Sequence, residues 1–342
     1  MLRLPPFTFL RPRSVAEAVE ILAEHGARAM PVAGGTDVFP KMKRRQFEPG
    51  ILVGLRGVDE LRGISGSATS GIAIGAGESL AKVAVDPAVQ QAYGALAIAA
   101  NSVSTPQLRV MGTIGGNLAV DTRCNYYDMS YHWRKSIGFC LKKDGDTCLV
   151  APSSPRCWAV SSSDTAPALI ALGARVTLRS VGGTRTIDVH DLYRNDGIHH
   201  LTKRPDEVIT RIEIPPADGL QSTYLKLRRR DSFDFPILGV AVALELEGHD
   251  VMDARIVLGA VGSRPIRATA AEALLVGNRA TPELVDEVAQ RAGDPAKPLD
   301  NADLAPHWRK QMSRVFVRRA LMSLAGLGPP SGGERVPEGL GA

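Results

Sequence analysis

The chain has 342 residues, of which 44% are hydrophobic and 23% are charged, a composition typical of a globular protein with two or three domains. Its net charge of +5 is small for this length and accompanies no nucleic-acid-reading motif, so we expect no nucleic-acid partner. Because no run of about 18 apolar residues exists and prolines interrupt the N-terminal segment, we predict no transmembrane helix, no signal peptide and a cytoplasmic location.

The N-terminal part of the chain alternates helical and strand-like patterns. Ser14 to Gly26 predicts a helix, because Ser14 is a favoured N-cap, apolar residues follow at helical spacing and Gly26 suits the left-handed position after a helix. Strand-like runs follow at 29–32, 51–55 and 72–76. Residues 90–101 are rich in alanine, which favours a helix.

Two glycine segments stand out. Residues 33–37 (AGGTD) follow the first predicted strand, and residues 113–117 (TIGGN) follow the alanine-rich helix. Glycine removes the Cβ and allows positive φ, so backbone N–H groups can converge on an oxyanion. Neither segment is the GxGxxG fingerprint or a phosphate loop ending in GK[ST], which disfavours the common nicotinamide and nucleotide-hydrolase interpretations. Each alone is typical of a tight turn; together they predict two cradles for one diphosphate.

The four cysteines of the chain, Cys124, Cys140, Cys148 and Cys157, lie close together in sequence. Thiolates are soft ligands, and four can hold an iron–sulfur cluster or a zinc ion. Disulfides are disfavoured in a reducing cytoplasm, and apolar filler thiols are a fourth interpretation. The spacing matches neither the CxxC pairs of zinc ribbons nor the bacterial ferredoxin run, so the residues alone leave an iron–sulfur cluster and a zinc ion both open.

The second half of the chain carries clear strand and helix signals. Asp164 is predicted to cap a helix through Leu172, and a hairpin is predicted over 175–189 around Gly182-Gly183. A boundary is expected near Pro215-Pro216. Three strand-like runs follow at 223–229, 237–246 and 251–261, and two helices follow, one capped by Thr281 and one over about 306–324.

The glycine segments occur in a familiar order. AGGTD, TIGGN, then SDTAPALIALGA at 163–174 and LKLRRRD at 225–231 resemble the FAD-binding subunits of the molybdenum hydroxylases, the xanthine dehydrogenase and carbon monoxide dehydrogenase group, over nearly the whole chain. The resemblance implies an α+β fold, with a two-subdomain FAD-binding domain of the PCMH/VAO type followed by a small C-terminal sheet-plus-helices domain. The implied ranges are 1–215 for the FAD-binding domain, about 121–160 for a cysteine-bearing insertion, 216–325 for the C-terminal domain and 326–342 for a disordered tail.

The same resemblance implies an FAD site with its diphosphate between the two glycine segments. The implied FAD contacts are Pro31, Val32, Ala33, Gly34, Gly35, Thr36, Asp37, Thr113, Ile114, Gly115, Gly116, Asn117, Asp164 and Lys226. Asp164 and Lys226 would lie near the flavin end. No acid–base pair for substrate chemistry emerges from the sequence, so we expect no catalytic residue here and a substrate site on another polypeptide.

The insertion distinguishes this chain within the group. Most members run almost directly from the second glycine segment to the segment at Asp164, whereas about 40 residues intervene here. Their sequence resembles the β subunits of 4-hydroxybenzoyl-CoA reductases, which implies a 4Fe-4S cluster on Cys124, Cys140, Cys148 and Cys157.

Partners also follow from that likeness. It implies a large molybdenum-cofactor subunit, a small 2Fe-2S subunit, a dimer of heterotrimers and ferredoxin as electron donor. Electrons would pass from the 4Fe-4S cluster through FAD to the 2Fe-2S clusters and molybdenum, where a phenolic hydroxyl would be removed to give benzoyl-CoA. Two alternatives remain open: an FAD and 4Fe-4S subunit of an aldehyde oxidoreductase, and a zinc-stapled binding module.

Several polar residues in and near the insertion allow more than one interpretation. The basic residues Arg134, Lys135, Lys142 and Lys143 either offset an anionic cluster, attract an acidic electron donor or form a solvated face. His199 and His200 are adjacent, and neighbouring residues do not share a face, so we expect a surface loop there and not a metal pair.

Overall fold

The computed structural model describes residues 2–217 and 219–328, which form three sheets and the helices that pack on them. The strands are β1 (Thr8–Leu10), β2 (Ala29–Val32), β3 (Ile51–Gly54), β4 (Ile64–Ser67), β5 (Gly71–Gly75), β6 (Arg175–Ser180), β7 (Gly183–Asp188), β8 (Val208–Ile214), β9 (Leu220–Leu227), β10 (Leu238–Glu247), β11 (Asp250–Gly259) and β12 (Ile266–Arg267). The helices are α1 (Val15–His25), α2 (Val38–Lys43), α3 (Leu80–Val85), α4 (Pro87–Ala92), α5 (Gly94–Ser102), α6 (Pro106–Met111), α7 (Ile114–Leu118), α8 (Tyr131–Ser136), α9 (Thr165–Ala171), α10 (Thr269–Leu275), α11 (Pro282–Ala292) and α12 (Pro306–Leu324).

The first sheet is small and parallel, with the order β1-β3-β2. Helix α1 packs its apolar face against it and buries Val15, Val19 and Leu22. Ser14 Oγ accepts a hydrogen bond from the amide of Glu17 and so caps the helix, and Gly26 takes φ of 50° at its end. The predicted helix and its capping residues are therefore confirmed.

The second sheet has five antiparallel strands in the order β4-β5-β8-β6-β7. Its main core includes α3, α5 and α9, and the last of these is buried over its whole length. Alanine and proline at successive positions let α9 fit closely between neighbouring elements: a Cβ on Gly259 of β11 would lie 2.8 Å from Pro167 Cγ. The residue that begins this helix, Asp164, is therefore held rigidly inside the molecule.

The third sheet is antiparallel, with the order β12-β11-β10-β9. Strand β10 alternates its side chains between two faces, as the two-residue period of a strand requires. Leu238, Val240 and Val242 face the core formed with α10, α11 and α12. Ala241 and Ala243 face the main core of the second sheet, where small side chains allow α5 and α9 to approach closely. The C-terminal unit is thus packed directly onto the helix that carries Asp164.

Most sequence-predicted elements are confirmed by the structure. They include the strands β2, β3 and β5, the β6–β7 hairpin, the three strands β9 to β11 and the helices α11 and α12. The helix expected over 90–101 is instead divided between α4 and α5 at Tyr93, whose hydroxyl donates to the carbonyl of Pro215 at 2.9 Å. Short helices such as α2, α6 and α10 were missed because each is too short to show a periodic pattern.

The insertion at 121–160 is mostly irregular and contains the single helix α8. Its two ends meet where Arg123 and Val160 exchange two backbone hydrogen bonds of 2.9 and 2.7 Å. The predicted disordered tail, beyond residue 328, lies outside the described residues. Within 2–217 and 219–328, none of the helices has the length and apolar character needed to cross a membrane.

Candidate functional site

The first glycine segment connects β2 to α2 and admits no larger residue at its two glycines. A Cβ on Gly34 would collide with the carbonyl of Met111, and one on Gly35, which has φ of 70°, would collide with the ring of Phe39. The amides of residues 34–37 donate no hydrogen bond within the described part of the chain. Residues 33–37 therefore present unsatisfied N–H groups, which suits the binding of an anion.

The second glycine segment packs against the first through the backbone at Met111 and Gly112. Thr113 Oγ1 accepts from the amide of Gly116 at 3.1 Å, and the amide of Gly115 donates to the carbonyl of Ala76 at 2.9 Å. A Cβ on Gly115 would lie 2.7 Å from the Cβ of Ala76, so this position also requires glycine. The two segments lie together, but the amides of residues 114–117 all donate to other groups of the protein, which differs from the symmetrical clasp expected from the sequence.

Asn117 ties the second glycine segment to the start of α9. Its Oδ1 accepts hydrogen bonds from Ser163 Oγ at 2.8 Å and from Thr165 Oγ1 at 2.7 Å. Ser163 Oγ also accepts from the amide of Ala166 and so caps the helix. The prediction that Asp164 caps this helix is wrong, because its side chain makes no capping hydrogen bond.

Asp164 instead forms a buried ion pair with Lys226 of β9. The Lys226 ammonium lies 3.0 Å from the carboxylate and also donates to the carbonyls of Ser102 and Asp234, while Tyr224 donates to the other carboxylate oxygen at 2.8 Å. Burial raises the pKa of Asp164 and lowers the pKa of Lys226, against their mutual attraction. The three ammonium protons of Lys226 are thus all donated to protein oxygens. Lys226 therefore orients the Asp164 carboxylate. Its contact with a flavin stays a prediction.

The four cysteines meet in the insertion. They line one narrow cavity of about 10 Å³, all are buried, and none forms a disulfide. Apolar and aromatic side chains complete the lining: Tyr126, Tyr127, Leu141, Leu149, Val150 and Ala159. Burial raises the pKa of the Cys124 thiol to about 12 and that of the Cys157 thiol to about 11. These thiols therefore stay protonated unless a cation compensates the thiolate charge.

The cysteines do not form a compact ligand set for one ion. Among residues 2–217 and 219–328, no group of three or more His, Cys, Asp or Glu side chains is arranged to hold a metal ion. A zinc–thiolate bond is only about 2.3 Å long, so four zinc ligands must converge tightly on one point. The cavity thus brings the four thiols together without the geometry of a single-zinc site.

A buried charge network lies beside the cysteine cavity. Asp121 accepts from Lys41 and from Lys142, each at 2.7 Å, and Lys142 also donates to Thr122 and to the carbonyl of Gly197. The carboxylates and ammonium groups stabilise one another, since the two lysines hold the pKa of Asp121 far below its usual range despite burial. Lys142 itself lines the cavity.

The basic residues of the insertion therefore differ in their surroundings. Lys142 is buried in the network, and Arg134 is buried with a 2.6 Å hydrogen bond to the carbonyl of Arg44. Lys143 is half-buried beside Asp144, whereas Lys135 is exposed. The interpretation as a solvated face is wrong for Lys142 and Arg134.

The adjacent histidines also differ from each other. His199 is exposed, as expected of a surface loop. His200 is half-buried. Its Nε2 is buried and has no hydrogen-bond partner in the described ranges. Burial lowers the pKa of His200, which lies close enough to Asp121 to feel its charge.

Two residues that the sequence did not single out belong to the site. Arg123, beside Cys124, pairs with Asp37 at the end of the first glycine segment. Ser162, three residues before α9, buries its hydroxyl without a partner among the described residues. An orphaned hydroxyl between the second glycine segment and Asp164 fits a polar atom of a cofactor. The run Ser161-Ser162-Ser163 is the sequence feature that could have indicated a polar site here.

Comparison with known proteins decides the family. Residues 5–217 match the family described as FAD binding domain in molybdopterin dehydrogenase, and residues 222–324 match the CO dehydrogenase flavoprotein C-terminal domain. The chain belongs to the flavoprotein family of the molybdenum hydroxylases. It is therefore an FAD-binding subunit of an oxidoreductase, which the resemblance predicted and the fold confirms.

Individual relatives of this flavoprotein cover most of the chain. The carbon monoxide dehydrogenase medium chain of Afipia carboxidovorans is 28% identical over 92% of this chain and 95% of its own length. The aldehyde oxidoreductase FAD-binding subunit PaoB of Escherichia coli is 32% identical over 79% of this chain and 86% of its own length. A solved carbon monoxide dehydrogenase from Hydrogenophaga pseudoflava superposes with a TM-score of 0.78 at 29% identity, covering 95% of this chain and 99% of the other.

Proposed function

We propose that this flavoprotein carries a 4Fe-4S cluster on Cys124, Cys140, Cys148 and Cys157 and transfers electrons between that cluster and FAD. One observation carries the proposal. All four cysteines of the chain line a single buried cavity, inside an insertion that lies between the second glycine segment and Asp164. Four thiolates in an apolar setting are the usual ligands of such a cluster.

An iron site in this cavity would have to overcome the burial of the thiols. Thiols whose pKa values are about 12 and 11 gain little from ionising alone, so binding of iron would supply the missing positive charge. The cavity holds about one water molecule by volume, so the irregular segments around Cys140 and Cys148 would have to move apart to admit four irons. A cluster would supply one-electron transfer, and FAD the ability to handle one or two electrons.

The insertion also supports a specific reaction. Its likeness to the β subunits of 4-hydroxybenzoyl-CoA reductases favours reductive dehydroxylation of 4-hydroxybenzoyl-CoA to benzoyl-CoA. In that assignment, a large molybdenum-cofactor subunit binds the acyl-CoA, a small subunit carries two 2Fe-2S clusters, and ferredoxin donates electrons to a dimer of heterotrimers. The proposed role of this chain in the complex is electron transfer.

A second function has its own support. The relative with 32% identity is named an aldehyde oxidoreductase FAD-binding subunit, so oxidation of an aldehyde by the partner subunit is the alternative. Electrons would then leave through this chain toward an acceptor. The zinc-stapled module stays the third candidate: the described cysteines do not converge as a single-ion site, and their cavity would also have to open to admit a cluster.

Steady-state assays of the purified complex separate the two reactions. We expect oxidation of reduced viologen with 4-hydroxybenzoyl-CoA, and little dye reduction with aromatic aldehydes. The opposite pattern would select the aldehyde oxidoreductase.

Replacing one ligand tests the cluster separately from the flavin. We expect Cys140→Ser to lose most of the iron and to keep much of its FAD, because Cys140 lies in the insertion and the glycine segments do not. Asp146→Asn, on the exposed surface of the insertion, is the matched control and should retain both. Iron and flavin are measured by colorimetry and absorbance. Full iron in Cys140→Ser would remove that ligand from the proposal, and loss of both cofactors would make the insertion part of the flavin scaffold.

A further inference from the structure

Arg123 lies at the base of the insertion, next to the first cysteine. Its backbone exchanges both hydrogen bonds with Val160, which closes the insertion, and Cys124 follows it directly. The last cysteine, Cys157, lies three residues before Val160. The first and last cysteines are therefore connected to the backbone of Arg123 through short stretches of chain.

The side chain of Arg123 reaches out of the insertion to the first glycine segment. Its guanidinium pairs with Asp37, the last residue of that segment, and with Asp128 at 3.3 Å. Asp128 uses its other oxygen to accept from the amide of Cys124 at 3.0 Å. The guanidinium also stacks on the ring of Phe235, from the C-terminal unit, at 4.0 Å. One side chain thus joins a cysteine backbone to a glycine segment.

The burial of this group makes the connection stiff. The Arg123 side chain is 12% exposed, and the carboxylates of Asp37 and Asp128 both contact its guanidinium. Separating a buried guanidinium from a partner leaves an uncompensated charge, which is strongly unfavourable. Asp37 and Asp128 therefore tend to keep their positions relative to each other. Ligation of the cluster by Cys124 would therefore also restrict the backbone of residues 34–37, whose amides are free.

We propose that Arg123 couples the cysteine cavity to the first glycine segment, so that cluster loading and FAD binding strengthen each other. The inference rests on the proposed function, since it requires a cluster at the cysteines. Coupling between two sites is reciprocal: the factor by which the cluster tightens FAD binding equals the factor by which FAD tightens cluster binding. Arg123 is a positioning residue in this role and need not touch either cofactor.

FAD affinity measured on the full chain with and without the cluster tests the coupling. Deflavinated protein is titrated with FAD by flavin fluorescence, once after anaerobic cluster reconstitution and once after iron chelation. We expect wild type to bind FAD on the order of ten-fold more tightly when the cluster is present. In Arg123→Met, the ratio of FAD affinities with and without the cluster should fall close to one. In Arg123→Lys, which keeps the charge but cannot bind both carboxylates in the same way, the ratio should be intermediate.

Arg156→Met is a closely matched control. Arg156 also directly precedes a cysteine and also stacks on an aromatic ring, that of Trp158 at 3.7 Å. Its guanidinium contacts Asn195 and not the first glycine segment. The wild-type ratio should therefore survive in this variant.

The outcomes are distinguishable by iron content. If wild type binds iron but its FAD affinity is the same in both forms, the coupling is refuted and the proposed function stands. Retention of the full ratio in Arg123→Met and Arg123→Lys would also refute the role of Arg123. If wild type forms no cluster under reconstitution, the proposed function fails and the coupling fails with it. Should Arg123→Met not fold, Arg123→Lys and Asp128→Asn decide the question by the same ratio.

Discussion

At the scale of single residues, buried charges in this flavoprotein are arranged in pairs and networks. Asp164 and Lys226 belong to different units of the chain, and each is almost completely buried. The pair can persist only because Tyr224, Ser102 and Asp234 satisfy the remaining hydrogen-bonding groups. Its position at the start of α9 connects the C-terminal sheet to the region of the second glycine segment through Ser163 and Asn117.

Removing one member of this pair should destabilise the chain strongly. We expect Lys226→Met to lower the free energy of unfolding by about 3–5 kcal/mol, because Asp164 would remain buried without its partner. The double variant Lys226→Met with Asp164→Asn should recover part of the loss. Arg175→Met, which breaks the exposed pair with Asp188, is the control and should cost less than about 1 kcal/mol. Denaturant unfolding measures all three, and a loss from Lys226→Met as small as the control's would show that the pair is not structurally important.

At the scale of elements, the glycine segments depend on space as much as on backbone angles. Gly34 packs on the carbonyl of Met111, so the first segment approaches the start of the second only because it lacks a Cβ there, and Gly115 of the second segment packs on Ala76. The N–H groups that remain free for an anion come from the first segment, while the amides of the second donate to Glu78, Ala76 and Thr113.

Adding one methyl group to the second segment should displace it from Ala76. We expect Gly115→Ala to weaken FAD binding at least ten-fold and to reduce stability by about 1–3 kcal/mol, because its Cβ would force Ala76 away. Gly182→Ala, in the β6–β7 turn, has only Ser180 Oγ within 4 Å and should leave FAD affinity unchanged. Flavin fluorescence titration checks both variants. Unchanged affinity in Gly115→Ala would exclude a role of this close packing in FAD binding.

Local signals in the sequence predicted most elements, because capping residues and apolar periods act over one or two helical turns. The cap of α1 at Ser14 and the β6–β7 hairpin at Gly182-Gly183 are examples. The partners of the buried charges could not be predicted in this way. Arg123 and Asp37 are 86 residues apart, and Lys142 and Gly197 are 55 apart. Lys226 and Asp164 are 62 residues apart, so the sequence did not reveal their ion pair, and the flavin contact of Lys226 stays a prediction.

At the scale of the whole molecule, the insertion and the glycine segments form one connected region. Arg123 joins the insertion to the first segment, Asn117 joins the second segment to α9, and Lys226 joins α9 to the C-terminal sheet. The family fold accounts for the flavin domain and the C-terminal unit, while the cysteine insertion adds a separate ligand cavity against them. This layout is suited to a subunit that carries two redox groups and leaves substrate chemistry to a partner.

The cofactor content of the full chain, purified alone and without oxygen, tests this account most directly. Iron, acid-labile sulfide, zinc and FAD are measured on the same sample. The account predicts about four irons and four sulfides per chain together with one FAD. A chain that binds FAD but holds fewer than about three irons, or holds zinc instead, would contradict the assignment of a 4Fe-4S cluster to its four cysteines.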